Sequence, residues 1–323
     1  MPSDRELRHS IIDVPGVEVG HLTVAEGDVQ TGVTVIFPCP PSVRHRKFSL
    51  GVYVAGAGLA FTGVQVAEDF GTFASPIVLC NATSVGAAYD ALITRGHRRD
   101  PELPVDDGWP PVVVGIDDGY LNDLRRRRVK HDDVLAACEA ARGDVPASGS
   151  VGIGRGLVAL GYKGGVGDAS AAARVGENPF VVGVLLVANG GAPRGGAVRA
   201  ASPGFAAIVA TDAPLFPEEL RWLGEAAMRG VDAAATIGGE EGRLALVFSV
   251  ANTIDGSLTA PPGRLYEAQR LGVAGLGPLC DAAARAARGA LGKALGGAAA
   301  VTGRKGRTAA KAPAEVITSL GEL

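Results

Sequence analysis

The chain has little sulfur, little histidine and few aromatic rings: 4 Cys, 2 Met and 5 His among 323 residues, with Phe, Trp and Tyr together making up 5%. Cys39, Cys80, Cys138 and Cys280 lie far apart, with no Cys-x-x-Cys pair and no matching histidine cluster. That spacing indicates neither a zinc site nor a disulfide framework, and the four read as buried thiols. No run of about 18 apolar residues is present to span a membrane, and the N-terminal MPSDRELRHSIIDVPG has no apolar signal-peptide core. The cytoplasm is the expected location, with no membrane partner. A charge excess is missing too: the formal net charge is −3, whereas nucleic-acid binders concentrate a basic excess on one face. Basic runs at residues 44–47 and 125–128, and the trio Arg304, Lys305 and Arg307, read as solvated surface or a mobile tail. Nucleic acid is therefore set aside. No Ser sits in a Gly-x-Ser-x-Gly context, and His9, His21, His45, His97 and His131 fall mainly in loop or surface contexts. A Ser-His-Asp triad has no support.

What the chain does have is glycine, 47 residues of it, and 47% hydrophobic residues. Tight turns and closely stacked layers follow from that combination. IIDVPGVEVGHLTV from Ile11 reads as short strands broken at Pro15-Gly16 and Gly20, and TGVTVIFP and GVYVAGAG continue the β-pattern. NATSVGAAYDALITRG (81–96) reads as a helix stopped by Gly96, PVVVGI (111–116) as a buried strand ending in the turn DDGYLND, and HDDVLAACEAARG as a helix with acids at its positive end. Beyond a glycine-dense stretch from Gly152, VVGVLLVAN (181–189) and FAAIVAT (205–211) read as strands, the former buried on both faces. A helix beginning at Asp212 or Pro217 follows, then the strand RLALVFSVAN and an Ala-rich helix from about Pro278 to Ala300. Glycines in that last helix weaken it by ~1 kcal/mol each, so tertiary packing must hold it. The last ten or so residues read as mobile. With no internal repeat and no separating linker, the expected organisation is an N-terminal extension (1–10), one domain (11–310) and a tail (311–323).

Gly-rich strings at 56–63, 152–161 and 163–170 invite a nucleotide-binding reading, but none completes it. The dinucleotide fingerprint is absent, and Gly292-Lys293 is followed by Ala294 rather than Ser or Thr. No metal and no organic cofactor is expected.

Nine segments in order carry a resemblance: DVPGVEVGH (13–21), TGVTVIFP (31–38), SPIVLCNATSVGAAYDAL (75–92), DDGYLND (117–123), GYKGGVGDAS (161–170), VGVLLVAN (182–189), VATDAPL (209–215), FSVAN (248–252) and VTGRKGRT (301–308). Together they resemble the aminopeptidase/D-esterase and β-peptidyl aminopeptidase family, which also includes nylon-oligomer amidases, over roughly residues 11–310. The resemblance implies a four-layer α/β/β/α sandwich of two mostly antiparallel sheets, and a homo-oligomer, often a tetramer. It also implies hydrolysis of small peptides or amides by an N-terminal nucleophile, a Ser or Thr freed when the precursor cuts itself. One hydroxyl attacks first the preceding carbonyl and then substrate, with the new α-amine, pKa about 8, as a local base.

Counting back from VATDAPL, the position for that hydroxyl is Gly204, preceded by Pro203. Glycine can perform neither step. Ser202 is the nearest hydroxyl, on the same strand face but ~6–7 Å from the required place, an offset that near-attack geometry does not tolerate. Where the family places a supporting Ser and acid, this chain has Glu241 and Arg243. Tyr120 and Asn189 match positions associated with oxyanion stabilisation, or else are a buried turn tyrosine and a strand-end asparagine that caps backbone. Asp117 stands where relatives often carry Asn and could add negative charge to the pocket. Two functions stay open: an aminopeptidase or amidase, and an uncleaved, non-catalytic homologue that binds a small amine or peptide or serves as a structural subunit.

Overall fold

The computed structural model describes residues 7–40, 46–99, 110–192, 200, 202–235, 237–255, 263 and 265–321. The chain opens with a 3-10 turn, Ile11–Asp13, and then runs β1 (Glu18–Glu26), β2 (Val29–Phe37), β3 (Arg46–Ala55), β4 (Ala60–Thr62), α1 (Val64–Phe70), β5 (Thr72–Phe73), β6 (Ile77–Asn81), α2 (Val85–Arg99), β7 (Val112–Ile116) and α3 (His131–Glu139). The second half holds β8 (Val158–Ala159), β9 (Tyr162–Lys163), β10 (Gly165–Val175), β11 (Asn178–Ala188), β12 (Gly204–Thr211), α4 (Pro217–Ala234), β13 (Gly242–Asp255), α5 (Leu276–Gly296), β14 (Val301–Thr302), β15 (Thr308–Ala309) and α6 (Ala314–Gly321).

Two large sheets form, in the orders β1-β2-β6-β7-β4 and β10-β11-β12-β13-β3-β5. Each is antiparallel except for one pair, β6–β7 in the first and β12–β13 in the second. Those parallel pairs are the two places where a helix, α2 or α4, carries the chain back along the sheet, as parallel neighbours require.

Side-chain alternation explains why the central strands read as unbroken apolar runs. On β12, Ala206, Ile208 and Ala210 enter the core between the sheets, with Leu79, Val114 and Phe248. Phe205, Ala207 and Val209 point the other way, onto Leu223 of α4 and Ala287 of α5. A third core lies outside the first sheet, where Val35, Val78 and Val113 meet Ala88 of α2 and Ala137 of α3. The layers are therefore helices, sheet, sheet, helices, the α/β/β/α sandwich that the resemblance implied. Among the described residues no helix is long and apolar enough to cross a membrane.

The sandwich is tightest where β10 meets α5. A Cβ on Gly167 would lie 2.2 Å from the Ala290 carbonyl oxygen and 2.3 Å from the Ala294 nitrogen, so strand and helix touch backbone to backbone. This contact accounts for a strand that the pattern did not reveal: β10 is rich in Gly and Ala, which look like a loop but permit close packing. Gly20 is used similarly, inside β1 rather than as a break, because a Cβ there would meet the Ala137 carbonyl at 2.2 Å.

Other expectations are corrected. Ile11 and Ile12 form a 3-10 turn instead of a strand, α2 continues through Gly96 to Arg99, and Cys39 and Cys280 are half-buried. Residues 314–321, read from sequence as part of a tail, form a helix, with Leu320 buried in the same core as α5. Arg44, His45, residues 1–6 and most of the loop at 190–203 lie outside the described residues.

Gly167→Ala should lower unfolding free energy by about 1–3 kcal/mol, since the added methyl overpacks a backbone contact. Gly292→Ala, in α5 with open space around its Cα, should raise it by about 0.4–1 kcal/mol. Urea midpoints of the two variants check both signs.

Candidate functional site

The site lies where the second sheet's central strands begin. Gly204 opens β12 and sits opposite Gly242, the first residue of β13. The Gly204 N–H donates to the Asn189 carbonyl at 2.6 Å, and the Gly242 N–H donates to the Pro203 carbonyl at 3.2 Å. The Pro203–Gly204 segment, where the resemblance led to a cleavage position being expected, is thus hydrogen-bonded toward both neighbouring strands. By alternation, a side chain at 204 would project into the space between the sheets. Leu59 is already there: a Cβ on Gly204 would lie 2.8 Å from both its Cγ and its Cδ2.

Asp117, Asn189 and Ser202 converge through backbone partners. Asn189 is buried; its Nδ2 donates to the Asp117 carbonyl at 2.8 Å, and its Oδ1 accepts from the Val158 N–H at 3.3 Å. Asp117 Oδ1 accepts from the Gly119 N–H at 2.9 Å, while Oδ2 accepts from the Ser202 N–H at 2.8 Å. Glu241 joins from the β13 side, its Oε2 accepting from the Gly191 N–H at 2.7 Å. Among the described residues neither Asp117 nor Glu241 has an ion-pair partner.

Tyr120 belongs to a neighbouring cluster. Its ring packs against Leu121, Val158, Val301 and Ala309, under the Arg307 guanidinium at 5.2 Å from the ring centre. The Arg304 N–H donates to the Leu121 carbonyl at 2.7 Å, and Arg304 Nη1 donates to the Gly119 carbonyl at 3.2 Å. Arg304 and Arg307, two of the basic trio read from sequence as surface or tail, therefore brace the turn that bears Asp117 and Tyr120, while Lys305 is exposed. Arg243 leaves β13 on the helix side, where its Nε donates to both Asp232 oxygens at 2.8 and 3.1 Å and its Nη1 donates to the Glu241 carbonyl at 3.0 Å. Where an acid was expected, an arginine secures the turn that carries Glu241.

Behind the site, Asp118 is fully buried, and burial raises its carboxyl to about 7 against the lowering influence of Thr31 and Asn122. Asn122 Nδ2 donates to Oδ1 at 2.9 Å, and Oδ2 has no hydrogen-bond partner among the described residues. Nearby, the buried Lys163 Nζ donates to the carbonyls of Gly154, Leu157 and Gly164 at 2.6–2.9 Å. Three donated bonds require the ammonium form, although burial pulls its pKa down. Among the described residues no group of three or more His, Cys, Asp or Glu could hold a metal ion.

Sequence reasoning placed Gly204 at the start of its strand, and of the residues it named, Asp117, Asn189, Ser202 and Glu241 lie around that strand start while Tyr120 packs in the neighbouring cluster. It missed Leu59, which appeared only within a glycine-rich string, and it missed Asp118 and Lys163, whose burial has no local signature.

The sequence model of peptidase family S58 matches residues 9–309. The chain is 30% identical over 346 aligned positions to the beta-peptidyl aminopeptidase BapA of Sphingosinicella microcystinivorans, covering 94% of this chain and 85% of that one. It is 31% identical to BapA of Sphingosinicella xenopeptidilytica, covering 76% and 70%. Among solved structures, a Burkholderia sp. beta-aminopeptidase superposes with a TM-score of 0.86 at 30% identity, covering 97% of this chain and 94% of that chain. The L-aminopeptidase D-Ala-esterase/amidase of Ochrobactrum anthropi, described as a variant of the Ntn hydrolase fold, superposes with a TM-score of 0.86 at 26% identity, covering 97% and 93%.

Asp118 gives a pH signature. Its folded pKa of about 7 stands above the ordinary 3.8, so its contribution to stability is complete below about pH 4 and is lost as pH rises through 7. That difference is worth up to about 4 kcal/mol at 1.36 kcal/mol per unit. Asp118→Asn should flatten the fall in urea midpoint between pH 5 and pH 8. An unchanged slope in the variant would count against this assignment.

Proposed function

The chain belongs to peptidase family S58, and on that premise we propose that it is an uncleaved, non-hydrolytic member that binds small amines or peptides. The observation that carries the reading is at Gly204: the nucleophile position has no hydroxyl, its N–H is engaged by Asn189, and the room for a side chain is taken by Leu59. Without the hydroxyl, neither the acyl shift that frees an N-terminus nor the attack on substrate has an attacking atom. The flanking substitutions support the same reading, since Glu241 and Arg243 bond to Gly191 and Asp232 instead of forming a Ser and acid pair.

The choice of an amine follows from charge. Asp117 and Glu241 bring two carboxylates to the ends of residues 190–203, and each uses backbone N–H donors rather than a cation among the described residues. An incoming ammonium group would supply the missing positive charge, and each carboxylate keeps unused lone pairs to receive it. An aminopeptidase, as the beta-peptidyl relatives are named, acts on a chain that begins with such a group.

Intact mass of freshly purified protein should give one chain near 32.7 kDa; two fragments meeting between residues 201 and 205 would refute the reading. Amino-acid p-nitroanilides should show no turnover. If turnover is seen, Ser202→Ala decides its source: activity that vanishes in the variant would make Ser202 a nucleophile, and activity that persists would remove it from consideration.

A further inference from the structure

The register of β12 and β13 leaves a notch that neither strand fills. Gly204 and Gly242 face each other across it, and a Cβ on Gly242 would lie 3.1 Å from Leu59 Cγ, as one on Gly204 would lie 2.8 Å from it. Two bare positions on adjacent strands thus accommodate one isobutyl group supplied from a distant loop. That loop is shaped for close approach. Gly56 and Gly58 have φ of +68° and +104°, values that favour glycine, and a Cβ on Gly58 would come within 3.1 Å of the Pro203 carbonyl oxygen. The Ala57 N–H donates to the Glu240 carbonyl at 3.0 Å, which fixes the loop against the turn bearing Glu241. Leu59 itself is only half-buried, so it closes the notch from the solvent side.

We propose that Leu59 is an intramolecular stand-in for ligand: its isobutyl group fills the notch that receives the branched aliphatic group of a bound amine. This rests on the amine-binding reading above and specifies its ligand. The charged end has a partner beside the notch, because Glu241 Oε2 and the Gly204 nitrogen both flank Gly190, 2.8 Å and 3.3 Å from the point its missing Cβ would take, with Pro203 Cβ also 2.8 Å from that point. A ligand with its ammonium near Glu241 therefore extends its side chain toward Gly204. Exchange of one isobutyl group for another leaves the buried apolar area unchanged, so with Leu59 present the ligand's aliphatic group adds nothing to affinity. Removing the Leu59 side chain releases that gain.

Calorimetric titration with L-leucinamide and glycinamide tests this in the wild type and in Leu59→Ala. The wild type should bind both with a ratio near one, and Leu59→Ala should favour leucinamide by about 10-fold or more. Equal ratios in the two proteins overturn the inference while leaving the amine-binding reading intact. No binding of either amide to either protein overturns that reading, and the ligand assigned here with it. A measurement independent of ligand completes the test. Gly204→Ala, at a position without positive φ, should lower the thermal midpoint in the wild type and do so much less in the Leu59→Ala background. The same loss in both backgrounds shows that Leu59 does not hold the notch.

Discussion

One backbone hydrogen bond organises this end of the sandwich, the 2.6 Å contact from the Gly204 N–H to the Asn189 carbonyl. It continues the β11–β12 ladder past Val187–Ala206 and aligns Gly204 with Gly242, so that β13 begins level with β12. A free amine at residue 204 would carry charge and three hydrogens and could not serve as an ordinary ladder donor. With the peptide intact, the strand start is part of the sheet, and the groups around it settle into supporting that arrangement.

The side chains around that strand start bond mainly to backbone. Asp117 and Glu241 each accept a main-chain N–H at one end of residues 190–203, and charge-assisted bonds of this kind are stronger than neutral ones. Asn189 spends both halves of its amide on backbone. Arg243 and the Arg304–Arg307 hairpin hold the two turns from outside. Underneath, Lys163 Nζ ties three carbonyls together in the interior, where a charge without hydrogen-bond partners would be costly. The strand start is thus held by hydrogen bonds from several sides.

Much of this was legible in the sequence, for identifiable reasons. The strands β2, β7, β11 and β12 declare themselves because Val, Ile and Leu run without interruption in strands buried on both faces, and α4 declares itself through Pro217 at its first turn. The ordered family segments fixed the register that puts Gly204 at a strand start. The strand β10 was illegible because its Gly and Ala residues encode proximity to α5 rather than hydrophobicity. Helix α6 looked like a loose tail because Val316, Ile317 and Leu320 gain meaning only against α5. Leu59 was illegible for a different reason: its contact with residue 204 is created by the β3–β4 loop folding across two other strands, and nothing within its own neighbourhood of sequence announces that.

The Leu59 contact also bears on the history of the chain. Some glycine codons become serine by a single nucleotide change, so the codon alone need not bar a hydroxyl at residue 204. Once the notch is occupied, the reverted side chain overlaps Cγ and Cδ2 of Leu59, and the one-step revertant is strained before it can benefit from any restored reactivity. Recovery then needs a second change at a remote locus, in a particular order, with Glu241 and Arg243 still to be replaced. Packing at Leu59 thus makes a hydroxyl at residue 204 depend on a second change elsewhere in the chain.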